Sequence, residues 1–191
     1  MLLRNGTVVS GTGCVRQDIR IGGGRIVQTG PGLEPLEGEE VMDVSGCLVA
    51  PGGIDAHTHF DMPCGGIMTS DDFESGTRAA VAGGTTTVID FSEPEQGASL
   101  QSGLDRWHEK ADGRSFTDYS FHMTVARYDE GIEEEILSMI RQGVTSFKAY
   151  TAYKGDLGVE DRDMYRLLSL MKKHGVLLMV HCENGDILDV R

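Results

Sequence analysis

Pro51-Gly52-Gly53-Ile54-Asp55-Ala56-His57-Thr58-His59-Phe60 is the stretch on which the reading of this chain turns. It opens on a Pro-Gly-Gly break and closes on two imidazoles two residues apart. Side chains alternate along a strand, so His57 and His59 are predicted to share one face, close enough to hold one metal ion. Paired histidines on a strand are about as often surface or core residues as ligands. Two later runs of the chain raise this pair above that level.

Thr145-Ser146-Phe147-Lys148-Ala149-Tyr150 is a short apolar run with a lysine at its centre. A lysine inside a buried strand is expensive as an ammonium ion, because desolvation favours the neutral amine. One reading is a lysine whose stem lies along apolar surface while its head reaches water. The other is a neutral amine that adds carbon dioxide, giving a carbamate with one oxygen for each of two metals. Val176-Leu177-Leu178-Met179-Val180-His181 is a third apolar run that ends on a histidine. Taken together, His57, His59, Lys148 and His181 fit ligands converging at the carboxyl ends of parallel barrel strands.

These residues resemble the cyclic amidohydrolases of the hydantoinase and dihydropyrimidinase group. The resemblance is carried by residues 53–63, by Gly83-Gly84-Thr85-Thr86-Thr87-Val88-Ile89-Asp90-Phe91, by Ser146-Phe147-Lys148 with Ala152-Tyr153-Lys154-Gly155, and by Val180 to Asp186. It extends over essentially all 191 residues. A complete (β/α)8 barrel takes about 250 residues, so the chain reads as the amino-terminal part of a larger protein.

The expected fold is α/β, a partial TIM-like (β/α) barrel of about five of the eight strands, preceded by a small β-sandwich segment. Residues 1–50 form that segment, with short β-favouring runs at 7–9, 18–21 and 25–28 and a hairpin turn at Gly22-Gly23-Gly24. Residues 51–191 form the barrel part, with strands predicted at 54–59, 85–91, 119–125, 146–150 and 176–181. A helix from about Asp71 to Ala82 has Asp71 and Glu74 as its capping box. Apolar stripes mark three more: Leu100, Leu104 and Trp107; Ile132, Ile136, Met139 and Ile140; Met164, Leu167, Leu168 and Met171. The last residues, through Arg191, are expected to begin a further helix.

The resemblance implies a mechanism. His57 and His59 would bind one of two divalent ions, expected to be zinc, His181 would bind the second, and carboxylated Lys148 would bridge them. A hydroxide held between the two would open a cyclic amide or imide and give an N-carbamoyl amino acid, as in pyrimidine catabolism. Tyr153 matches the position whose phenol binds substrate and stabilises the developing oxyanion. Further ligands, a histidine and an aspartate, belong to later strands, so the fragment alone is expected to be inactive. Asp55 is expected to face away from the histidines by strand alternation, Asp90 to support loop structure, and His122 to be an ordinary structural or surface residue. Leu157 and Tyr150 are read either as apolar lining of the substrate mouth or as core.

A net charge of −13 argues against nucleic acid as a partner, and no apolar run approaches the roughly 18 residues of a membrane span. The four cysteines show no zinc-finger spacing, Cys64 and Cys182 read as packing variants, and a reduced cytoplasmic setting is expected. The expected partner is a small cyclic amide, and the resemblance implies a homotetramer at full length. Two alternatives compete. A dihydroorotase or allantoinase is disfavoured because no arginine follows the HxH motif before Arg78 to pair with a substrate carboxylate. A dihydropyrimidinase-like scaffold protein without enzymatic activity is disfavoured because every ligand position within the chain is intact.

Overall fold

The computed structural model describes every residue except Gly65, Asp189 and Arg191. The chain divides into two compact units, Met1–Gly52 and Gly53–Arg191. In the first, short strands alternate with glycine-rich turns. They are β1 (Leu2–Arg4), β2 (Thr7–Ser10), β3 (Gly13–Arg16), β4 (Asp18–Gly22), β5 (Arg25–Gly30), β6 (Val41–Asp43) and β7 (Leu48–Val49). They build two small sheets, ordered β5-β4-β1-β6 and β3-β2-β7. Gly23 and Gly24 form the tip of the β4–β5 hairpin with φ of 58° and 72°. Positive φ at both central residues is the twist-matched turn for a two-residue loop, and glycine adopts it without penalty.

The second unit alternates strand and helix. Its elements are β8 (Gly53–Thr58), β9 (Pro63–Cys64), β10 (Ile67–Met68), α1 (Phe73–Ala82), β11 (Thr85–Ser92), α2 (Leu100–Ala111), β12 (Asp118–Thr124), α3 (Ile132–Arg141), β13 (Ser146–Lys154), α4 (Asp161–His174), β14 (Leu177–His181) and α5 (Gly185–Leu188). Five strands pair in the order β14-β13-β12-β11-β8, every pair parallel. That is a half-barrel sheet, because each parallel neighbour is reached through a helical crossover. Helices and strands share one core that includes Phe73, Leu104, Trp107, Phe121, Met123, Ile136, Phe147 and Leu167. Among the described residues no helix is long and apolar enough to cross a membrane.

Several local expectations are corrected. The capping box of α1 is made by Asp72 and Ser75, one residue later than the predicted Asp71 and Glu74: Ser75 N donates to Asp72 Oδ1 at 2.7 Å and Asp72 N to Ser75 Oγ at 3.1 Å. Glu74 instead pairs with Arg78 on the helix surface. In α4 the buried residues are Met164, Leu167, Leu170 and Met171, while Leu168 is exposed. β13 runs on through Lys154 instead of stopping at Tyr150. Cys64 and Cys182 are exposed, so neither is a packing substitution. The helix expected through Arg191 is described to Leu188, and its continuation at Asp189 and Arg191 lies outside the described residues.

Candidate active site

β8 does not run in simple register with its neighbour. Val88 of β11 pairs with Asp55 and Asp90 with Thr58, so three steps along β8 span two along β11. Such a bulge re-aims side chains and is common beside active sites. Strict alternation would put Asp55 on the same face as His57 and His59, two and four residues on. The bulge resets the alternation, so Asp55 shares the face of Val88 and Thr58 that of Asp90. The alternation on which the expectation rested is therefore wrong; the register puts Asp55 on the Val88 face, where its Oδ1 accepts from His57 N at 3.1 Å.

The two imidazoles lie against Phe91, which is fully buried on β11. Their ring centroids are 5.1 Å from each other and 4.6 and 4.8 Å from the Phe91 ring. Burial, with the neighbouring charges of His57 and Lys148, holds His59 below the usual imidazole range. That favours the neutral ring, the form that ligates metal. His59 Nδ1 is buried without a hydrogen-bond partner.

Lys148, the third residue of β13, is 7% exposed. Its Nζ sits 5.4 Å from the Phe91 ring centroid and 5.1 Å from that of Tyr150. Among the described residues no carboxylate pairs with it. Thr124, its register partner on β12, also has a buried hydroxyl without a partner. A buried polar atom without a partner calls for an explanation, and a charged group held beside it is one. His122 completes the wall: Nε2 donates to Ala56 O at 2.9 Å and Nδ1 accepts from Ser146 Oγ, tying the backbone beside His57 to the strand of Lys148. It is 4% exposed, a structural histidine.

His181 ends β14 as the register partner of Tyr150. Its ring lies 5.5 Å from that of Tyr150 and 5.7 Å from that of Tyr153, and its Nε2 contacts Glu183 Oε2 at 2.6 Å. Tyr150 thus links His181 to Lys148. The Tyr150 hydroxyl donates to Glu93 Oε1 at 3.2 Å, and burial pushes both groups above their ordinary values. Tyr153 is 47% exposed with φ of +57°, a left-handed conformation that is strained for a non-glycine residue and recurs at functional sites. Leu157 lines a cavity of about 390 Å³ with Pro94, Ala126, Arg127 and the same Thr124 that pairs in register with Lys148, whereas Tyr150 is buried.

His57, His59 and Lys148 therefore meet on Phe91, with His181 and Tyr153 grouped around Tyr150. Among the described residues no three His, Cys, Asp or Glu side chains gather closely enough to hold a metal ion. Lysine becomes a ligand only after modification, which leaves the histidine pair short of a third donor. Sequence reasoning passed over Phe91, Glu93 and Glu183 as individuals. The signal for them was position: Phe91 and Glu183 lie inside the motifs that carry the resemblance, and Glu93 stands just past the carboxyl end of β11.

This is a β/α-barrel segment whose histidines stand at the carboxyl ends of β8 and β14, the layout of barrel enzymes, while Lys148 lies near the start of β13 instead of at the expected carboxyl end because that strand runs on to Lys154. The chain belongs to the amidohydrolase family, whose sequence model matches residues 48–190. It is 46% identical over 189 residues to the D-hydantoinase of Geobacillus stearothermophilus, covering 98% of this chain and 40% of that protein. To the dihydropyrimidinase of Dictyostelium discoideum it is 41% identical over 189 residues, covering 98% and 38%. The solved D-hydantoinase from a Bacillus sp. AR9 superposes with a TM-score of 0.93 at 45% identity, over 99% of this chain and 41% of that one. The dihydropyrimidinase from Brevibacillus agri NCHU1002 gives 0.94 at 43% identity, over 99% and 41%. The chain spans about two fifths of the length of the relatives it matches.

Proposed function

We propose that this chain supplies one wall of the active site of a metal-dependent hydrolase that opens cyclic amide or imide rings, of the dihydropyrimidinase or hydantoinase kind. The observation that carries this reading is the packing of His57, His59 and Lys148 on Phe91, with His59 Nδ1 buried and unpartnered, in a chain similar to proteins with those names. In our reading two divalent ions, zinc by expectation, would be held by His57 and His59, by His181 and by Lys148 in its carboxylated form, with the further donor that the histidine pair lacks still to be supplied. When bound, such ions polarise a carbonyl and let water ionise near neutral pH.

The chain's own residues have definite tasks. Carboxylation of Lys148 would form a bond from Nζ to the carbon of carbon dioxide with loss of a proton to solvent, and the resulting anion would spread its charge over two oxygens. His59 is held neutral and ready to ligate. Phe91 closes the floor against water, which strengthens every charge interaction above it. Tyr153, on a strained backbone beside His181, donates its phenolic proton in a hydrogen bond to the ring carbonyl oxygen as that oxygen gains charge.

No arginine follows the HxH motif before Arg78 to receive a substrate carboxylate. The cations beside Asp61 are already engaged: Arg114 pairs with its carboxyl group, which also accepts from Phe73 N, and Lys110 Nζ donates to its carbonyl oxygen. An unpaired substrate carboxylate in this desolvated region costs several kcal/mol, on the order of 2–5. The natural-length protein is expected to contain stoichiometric metal, to open dihydrouracil or hydantoin to the N-carbamoyl amino acid, and to act poorly on dihydroorotate. Absence of metal, or comparable turnover of dihydroorotate, refutes the assignment.

A further inference from the structure

We infer that Asp90 is a positioning residue for the His57 and His59 pair, a role that rests on the metal-site reading above. Its carboxyl group is fully buried on the face of β11 opposite Phe91, and it reaches no imidazole. It nevertheless grips the two residues that flank His59. Oδ2 accepts from Thr58 Oγ1 at 2.8 Å and from Phe60 N at 2.9 Å. Oδ1 accepts from Phe91 N and from Trp107 Nε1, both at 2.9 Å, which anchors the same carboxyl to the floor of the site and to α2.

The geometry gives His59 little other support. The β8–β11 ladder ends at the Asp90–Thr58 pair, so no further register partner holds the backbone beyond it. At Asp61 the chain turns with φ of +51°. The turn is held in its place by Asp61 N donating to Asp71 O and by Lys110 Nζ donating to Asp61 O at 2.6 Å. Between the ladder and the turn, the position of His59 depends on the bonds that Asp90 accepts on either side. Four donors converge on two oxygens, an arrangement an amide cannot reproduce because its NH2 would face donors.

The test uses the natural-length protein with Asp90→Asn and the near-isosteric Thr58→Val. Three quantities are measured: zinc affinity by chelator competition, the visible spectrum of the cobalt-substituted protein, and amide hydrogen exchange of residues 58–61 without metal. Asp90→Asn is expected to weaken zinc binding about 10–100-fold, as loss of a partner that orients a ligand does, to alter the cobalt spectrum, and to speed exchange at the Phe60 amide. Thr58→Val is expected to shift all three in the same direction by less, and it carries the test if Asp90→Asn does not fold. Folded variants with wild-type zinc affinity, spectrum and exchange overturn the inference. A wild-type protein that binds neither ion sinks the metal reading instead, and the clamp is then judged on exchange alone, where unchanged Phe60 protection refutes it.

Discussion

Tyr153 combines two properties that rarely coincide, a half-exposed phenol and a left-handed backbone inside a strand. A β-sheet residue with φ of +57° costs about 1–3 kcal/mol relative to glycine in the same conformation. The function proposed for its hydroxyl gives a reason to keep that strain. Tyr153→Phe is expected to leave stability unchanged while lowering kcat about 100-fold, the scale of one lost oxyanion donor. Tyr153→Gly is expected to lower kcat at least as far while raising thermal stability. Steady-state kinetics and melting curves on the two variants check this, and a Tyr153→Phe protein of full activity removes the residue from the mechanism.

At the scale of elements, α1 is set against the end of β8 by a missing side chain. A Cβ at Gly76 would meet Phe60 Cδ1 at 2.6 Å, so the helix lies as close as glycine allows to the residue after His59. Phe60 in turn packs edge-on against Phe73. Gly76→Ala is expected to destabilise the protein by about 1–3 kcal/mol through overpacking, more than the helix propensity of alanine returns, and to weaken metal binding by displacing Phe60. Chemical denaturation and metal titration measure the two effects. The amino end of the same helix predicts a pH dependence. The Ser75 N–H holds the Asp72 carboxyl below its ordinary 3.8, with the Ser75 hydroxyl and Arg114 adding to the effect against some desolvation. A depressed carboxyl stabilises above its unfolded value and loses that contribution as pH falls through its folded value. The gap in melting temperature between wild type and Asp72→Ala is therefore expected to be constant well above pH 3.8 and to close below it. A gap that persists in acid shows the cap does not act through the charge.

For the whole molecule, the candidate ligands come from three strands: β8 carries His57 with His59 just past its end, β13 carries Lys148, and β14 carries His181. β8 and β14 are the two outer strands of the five-stranded sheet, so metal held by all three would tie its edges together. A ligand bound only by the folded state stabilises by about 4 kcal/mol when present at roughly 1,000 times its dissociation constant. Chelation of the natural-length protein is expected to lower its melting temperature together with its activity, and added zinc to restore both. A melting temperature indifferent to chelator contradicts a cross-strand metal site.

Much of this protein was legible residue by residue, because the signals are local. Strand runs, helix stripes and the Gly23-Gly24 turn derive from side-chain periodicity and backbone freedom, which depend only on near neighbours along the chain. The placement of His57, His59 and His181 at strand ends belongs to the same category, whereas Lys148 is the third residue of the nine-residue β13. Other features required partners far along the chain. The bulge in β8 arises from pairing with β11, so no count along its own strand could give the facing of Asp55. Asp90 read as loop support until Thr58, Phe60 and Trp107 were brought to its two oxygens. The capping residue proved to be Asp72 instead of Asp71, and Leu170 is buried where Leu168 was expected, because the packed helix fixes which side chain can bond or be buried. Local periodicity determined which elements form, and long-range register and packing alone decided how their ends are aimed, because those energies exist only once distant strands are paired.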